Sequence, residues 1–150
     1  MPGFFRRATQ LSVGLLTVWI ATGLISGCAK SLQVQLVSAA QLNPSVQAMA
    51  LPVVVKLYQL RDAQLFNQAS FRDLWQQDRV VLGNTLLAQQ SVTLLPDHQK
   101  IIHMPRHSQA QYIAAIALFR QPEGQQWRVI QPITGRLQLT LVNNQLAVQR

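Results

Sequence analysis

Apolar and polar residues alternate along most of the chain after residue 30, with the period of two expected of half-buried strands. "SLQVQLVS", residues 31–38, sets Leu32, Val34 and Leu36 against intervening polar residues. "PVVVKLYQL" places Val53, Val55 and Leu57 on one face, with Pro52 at the strand start, where a missing N–H is tolerated. "QYIAAIALFR" is apolar on both faces, Tyr112, Ala114, Ile116 and Leu118 against Ile113, Ala115, Ala117 and Phe119. That pattern predicts a central strand covered on both sides. "SVTLL" and "KIIHM" flank the turn "PDHQ", and "QWRVI" brings Trp127 and Val129 to one face. The last segment, "GRLQLTLVNNQLAVQR", folds about Asn143-Asn144, because Asn tolerates positive φ. Folding there sets Leu141 opposite Leu146 and Leu139 opposite Val148, all on one face, so turn and pattern select the same register.

One segment departs from this period. In "DAQLFNQASFRDLWQQD", Phe71, Leu74 and Trp75 recur at helical spacing, and Ser70-Phe71-Arg72-Asp73 fits a capping box. A short helical insertion is therefore expected near 64–78, with Phe71 and Trp75 packed on the edge of the sheets. Short strands at roughly ten-residue spacing predict a mainly β fold, a β-sandwich of about seven to eight strands.

The first residues follow a different plan. "MPGFFRRATQ" carries Arg6 and Arg7 and no acid, "LSVGLLTVWIATGLI" is a run of uncharged residues, and "SGC" follows. A basic start, an apolar middle too short to span a bilayer and small residues at the end predict a cleaved export signal over 1–27. Ile25-Ser26-Gly27-Cys28 resembles the lipobox of bacterial lipoproteins. That resemblance implies cleavage between Gly27 and Cys28, a diacylglycerol on the Cys28 thiol and an acyl chain on its new amino group. An uncleaved signal anchor with an incidental cysteine is the alternative. Mature positions two and three are Ala29 and Lys30. The Asp associated with retention at the inner membrane in enterobacteria is absent, so the expected destination is the inner leaflet of the outer membrane, facing the periplasm. The mature chain then divides into 28–41, the acylated cysteine with tether and first strand, and 42–150, the remainder of one sandwich.

Composition narrows the possible functions. Hydrophobic residues make up 49% of the chain and charged ones 12%, which favours a folded core. Lys and Arg outnumber Asp and Glu by 13 to 5. The cations stand singly (Lys56, Arg61, Arg72, Arg79, Lys100, Arg106, Arg120, Arg128, Arg136), read as a solvated surface, and no nucleic-acid motif gathers them. His103 and His107 have the spacing of a zinc-binding pair on a helix, but Pro105 between them would break one, and His98 stands apart. No G-x-S-x-G and no Gly-rich phosphate loop occurs. Asp62 reads as a turn residue or helix cap, and the acids Asp73, Asp78, Asp97 and Glu123 are not repeated at close spacing. The expectation is a non-enzyme with no cofactor beyond the covalent lipid.

"ALPVVVKLYQLRDAQLFNQASFRDLWQQD", "VVLGNTLLAQQSVTLLPDHQ", "QYIAAIALFRQPEGQQWRVI" and the closing hairpin resemble the TssJ/SciN family, the outer-membrane lipoproteins of the type VI secretion system. The resemblance covers essentially all of 28–150. It implies a transthyretin-like β-sandwich with a helical addition, tethered by its acylated cysteine. It further implies binding to the periplasmic C-terminal region of the large inner-membrane subunit (TssM/IcmF-type), which would link the trans-envelope complex to the outer membrane. The family's contact is associated with the loop between the first two strands. Here that assigns Asn43, Pro44, Ser45, Val46, Gln47, Ala48 and Met49, within a connection longer than most hairpin loops. An ordinary connector is the alternative for the loop. For the chain, the alternatives are another periplasm-facing assembly or pilot lipoprotein, or a periplasmic hydrolase or metal-binding enzyme.

Overall fold

The computed structural model describes residues 30–149. Gly27 and Cys28, the expected cleavage and acylation positions, lie outside them. Eight strands form two four-stranded sheets. They are β1 (Ser31–Leu42), β2 (Val53–Leu60), β3 (Leu86–Leu94), β4 (Gln99–Pro105), β5 (Tyr112–Ala117), β6 (Arg128–Pro132), β7 (Arg136–Asn143) and β8 (Gln145–Val148). The first sheet runs β4-β1-β7-β8 and the second β3-β2-β5-β6, so β5 is central, as its two apolar faces require. All neighbours pair antiparallel except β1 with β7, which run parallel.

Between the sheets lie the apolar positions that the alternation picked out: Leu32, Val34 and Leu36 from β1, Val53, Val55 and Leu57 from β2, Leu139 and Leu141 from β7. The closing hairpin has the predicted register, Leu139 opposite Val148 and Leu141 opposite Leu146, with Asn143 at φ 52°. The strands flanking "PDHQ" do not pair with each other. β3 lies in the second sheet and β4 in the first, where β4 pairs with β1 as an edge strand. The chain changes sheet at Asp97, whose φ is 54°. Ser38 holds this crossing, its hydroxyl donating to the Leu95 carbonyl at 2.6 Å and accepting from the His98 amide at 3.0 Å.

The insertion has three helices, α1 (Gln64–Gln68), α2 (Phe71–Gln76) and α3 (Asp78–Leu82), followed by a 3₁₀ turn at Gly83–Thr85. It thus extends past the expected limit of 78, because β-branched Val80 and Val81 hide a helix in a pattern that reads as extended. The capping box is present: Ser70 accepts from the Asp73 amide at 3.2 Å, and the Asp73 carboxylate accepts from the Ser70 amide at 3.2 Å. Asp62 accepts from the Gln64 amide at 3.0 Å, starting α1.

These helices cover the outer face of the second sheet, where β2 turns Lys56 and Tyr58 away from the sandwich interior. Phe66 packs edge-on against Tyr58, ring centroids 6.1 Å apart, and Leu74 and Leu82 are fully buried. Lys56 is not the solvated cation expected. Its ammonium donates to Asp78 Oδ2 at 2.8 Å and to the Trp75 carbonyl at 3.0 Å. The same carboxylate oxygen accepts from Tyr58 Oη at 3.0 Å and Gln89 Nε2 at 2.8 Å, while Oδ1 accepts from the Arg79 amide at 2.8 Å. Arg128 is equally internal in role. Its guanidinium lies 5.0 Å from the Trp127 ring centre and donates to the carbonyls of Phe66, Asn67 and Ala69 at the end of α1. A cation there also complements the negative end of the helix.

Burial raises the pKa of the Asp78 carboxyl, but hydrogen bonds from Lys56 and Tyr58, the Lys56 charge and the Arg79 amide outweigh it and hold the pKa below the ordinary value. Tyr58 is pushed up, first by burial and then by Asp78. A carboxylate with a depressed folded pKa contributes stability above its unfolded pKa and loses that contribution as pH falls through the folded one. Asp78→Ala is therefore expected to lower the unfolding free energy by about 3 kcal/mol at neutral pH, by leaving the Lys56 ammonium buried without its partner. The gap between variant and wild type in denaturant unfolding should shrink as pH drops below about 4.

Candidate functional site

Hydrogen bonds between the two sheets define two ends of the sandwich. At one end β1 begins and β2 and β4 finish. There the buried Gln59 amide joins the sheets, donating to the Pro105 carbonyl at 2.9 Å and accepting from the His107 amide at 2.8 Å. At the other end β1 finishes and β2 begins, and Asn43 makes the junction. Its backbone amide donates to the Asn143 carbonyl at 2.7 Å, its side-chain Nδ2 to the Pro52 carbonyl at 3.0 Å, and its Oδ1 accepts from the Arg120 amide at 2.9 Å. The twelve residues of β1 separate the two ends by roughly 35 Å, at about 3.3 Å per residue.

The loop after β1 rises from the Asn43 junction. Asn43 itself is buried at φ 46°, a left-handed conformation that Asn tolerates, and so is part of the loop's foundation. Pro44 and Ser45 are half-buried, and Val46, Gln47, Ala48 and Met49 are exposed. The loop is folded on itself. The Ser45 amide donates to the Met49 carbonyl at 2.8 Å, the Ala48 amide to the Ser45 carbonyl at 2.9 Å, and the Ser45 hydroxyl accepts from the Met49 amide at 3.1 Å. Ala48 takes φ 59°, which costs an alanine about 1–2 kcal/mol. The backbone is therefore held in one shape at a local cost, and that shape directs two apolar side chains into solvent, Val46 at 87% exposure and Met49 at 58%.

A second apolar feature adjoins the loop base. Val54, Phe71, Trp75, Leu118, Phe119 and Arg120 line a groove of about 340 Å³. The Arg120 amide that closes it is the one bonded to Asn43, and the Leu118 amide donates to the Val54 carbonyl at 2.9 Å. Phe71 packs as expected, edge-on to Trp127 with centroids 5.1 Å apart. Trp75 does not. It is 51% exposed and rests on Phe71 with ring centres 6.1 Å apart. A helix of six residues has too little apolar face to bury three large side chains, and Leu74 takes the inward position.

His103 lies on strand β4 with its side chain exposed, and His107 follows the strand, so the pair does not have helical geometry. Among the described residues no three His, Cys, Asp or Glu side chains gather as a metal site would require. The buried carboxylate, Asp78, accepts four hydrogen bonds from within the fold.

Comparison with known proteins agrees with this architecture. Residues 30–149 match the model of the type VI secretion lipoprotein family, described as VasD, EvfM and TssJ. The structure of Lip from Serratia marcescens, described as a membrane-bound component of the type VI secretion system, superposes with a TM-score of 0.76 at 21% identity, covering 80% of this chain and 97% of that one. The type VI lipoprotein TssJ1 of Pseudomonas aeruginosa gives 0.72 at 24% identity, with coverage of 81% and 98%. A chain of a solved type VI membrane complex gives 0.73 at 27% identity, again with coverage of 81% and 98%. The comparison with curated proteins returned no match.

Asn43→Ala removes the side-chain hydrogen bonds to the Pro52 carbonyl and the Arg120 amide and places an alanine at positive φ, and is expected to destabilise the domain by about 2 kcal/mol. Ala48→Gly relieves the strain at φ 59° and should raise stability by up to about 1 kcal/mol. Denaturant unfolding of the two variants checks both signs.

Proposed function

Because the chain belongs to the type VI secretion lipoprotein family, we propose that it anchors the secretion apparatus to the outer membrane. In this reading Cys28 carries a diacylglycerol and an N-acyl chain and fixes the domain to the inner leaflet, facing the periplasm. Three chains on one residue hold where one alone would be reversible, since each buried methylene contributes about 0.8 kcal/mol. The loop Asn43–Met49 then grips the periplasmic C-terminal region of the large inner-membrane subunit. The protein acts by binding and carries out no reaction.

The observation that carries this reading is the placement of the two features. β1 begins three residues after Cys28, and Val46 and Met49 stand exposed on the hydrogen-bonded loop at its other end, which in this reading is the end away from the membrane. A preformed loop loses little freedom on binding, so its apolar contacts are not spent on ordering it. The comparisons add support. One further matching chain, at TM-score 0.73 and 24% identity, comes from a structure described as the TssM C-terminal domain, residues 869–1107, from EAEC. The match covers 81% of this chain and 98% of that one.

Val46→Asp combined with Met49→Asp is expected to weaken capture of the partner's periplasmic region at least tenfold, the loss of about 1.4 kcal/mol, with no change in unfolding midpoint. Affinity at the wild-type level would move the contact elsewhere. Cys28→Ser is expected to abolish lipid labelling and to release the domain from outer-membrane fractions; unchanged fractionation would remove the anchor from the reading.

A further inference from the structure

The end of the sandwich opposite the loop has a charge pattern of its own. Lys30 precedes β1, Arg106 follows β4, Arg61 follows β2 and Arg136 begins β7. Backbone and side-chain bonds gather these positions. The Arg106 amide donates to the Lys30 carbonyl at 2.9 Å, Arg136 stands in register with Gln33, and Gln59 ties the end of β2 to Pro105 and His107. Arg61 reaches across the same end to Gln109 Oε1 at 2.7 Å. Lys30, Arg61 and Arg136 are exposed and Arg106 half-buried. Among the described residues, the only carboxylate next to these positions is Asp62. Asp97 and Glu123 lie in connections at the opposite end, and Asp73 and Asp78 are engaged in the helical insertion.

The covalent tether fixes where this end must be. Only Ala29 separates Cys28 from Lys30, so the acylated residue is at most about 7 Å from Lys30 along the chain. That is shorter than the screening length at physiological salt, about 8 Å. A cation held within one screening length of an anionic bilayer keeps a substantial part of the attraction of its surface potential.

We propose that Lys30, Arg61, Arg106 and Arg136 form a membrane-facing foot that binds the phosphates of anionic phospholipid headgroups. This inference rests on Cys28 being the lipid anchor. The foot adds orientation to attachment. A lipid on a short tether fixes position alone, whereas four cations spread over the ends of four strands fix the angle of the long axis to the membrane. That angle keeps the Asn43–Met49 loop pointing into the periplasm.

The test uses the mature chain with Cys28→Ser, which carries no acyl group, so its outcome is independent of whether the natural chain is lipidated. The chain is floated at low ionic strength with phosphatidylcholine vesicles, with and without about one-third phosphatidylglycerol. Binding is expected to the anionic vesicles alone, to weaken about fivefold with each of Lys30→Gln, Arg61→Gln, Arg106→Gln and Arg136→Gln, and to vanish at high salt. Arg61→Lys, Arg106→Lys and Arg136→Lys should keep it, which separates lost charge from lost structure. Equal partition onto both vesicle types, or wild-type binding by the fourfold Gln variant, would overturn the proposal. So would a result in which the Gln replacements spare vesicle binding but weaken capture of the partner's periplasmic region, since the end would then dock protein.

Discussion

An ammonium group set on the outer face of a central strand has to be neutralised where it stands, and the architecture around β2 follows from that constraint. Lys56 alternates with core residues and so points out of the sandwich, yet the insertion closes over it. Asp78 makes the closure possible, accepting from Lys56, Tyr58, Gln89 and the Arg79 amide at once. A carboxylate with four donors offsets the cost of leaving water that an isolated pair would not. With α3 fixed by Asp78 and α1 by Arg128, α2 has one resting place between them. The groove beside the loop, lined by Phe71 and Trp75, exists because that place is fixed.

How much of this was readable from residue order varies with the physics of each part. The strands were, because alternation reports which face meets the core, and the Asn143-Asn144 hairpin was readable to its register. The central position of β5 followed from two apolar faces. The division of β3 and β4 between sheets was not legible, because a turn sequence constrains local backbone and not which neighbour completes a ladder. The third helix was hidden by Val80 and Val81. The Lys56–Asp78 pair was hidden by the distance along the chain between its members, although one signal was available. A lysine flanked by Val54 and Tyr58 on the second face of a strand asks for a covering layer and an acid within it.

The candidate site was legible unevenly for the same reason. Loop length and family resemblance pointed to Asn43–Met49, and the structure divides that run into a foundation and a presented tip. Asn43 is buried by three hydrogen bonds that tie together residues from four parts of the chain, which no local pattern encodes. Val46 and Met49 are presented because the backbone closes on Ser45. Trp75 was expected to be packed away and instead lines the neighbouring groove, since a helix of six residues cannot turn Phe71, Leu74 and Trp75 all inward.

The course of β1 has a mechanical consequence in the arrangement proposed above. A single strand begins beside the bilayer and ends at the base of the gripping loop. When the machine pulls, tension entering at the loop travels to the lipid through one unbroken line of covalent bonds. The flanking β4 and β7 are hydrogen-bonded along that line, so any load passed from β1 to the rest of the domain is shared in shear by many bonds at once. A thread sewn through cloth resists in this way, where the same thread laid on the surface would peel.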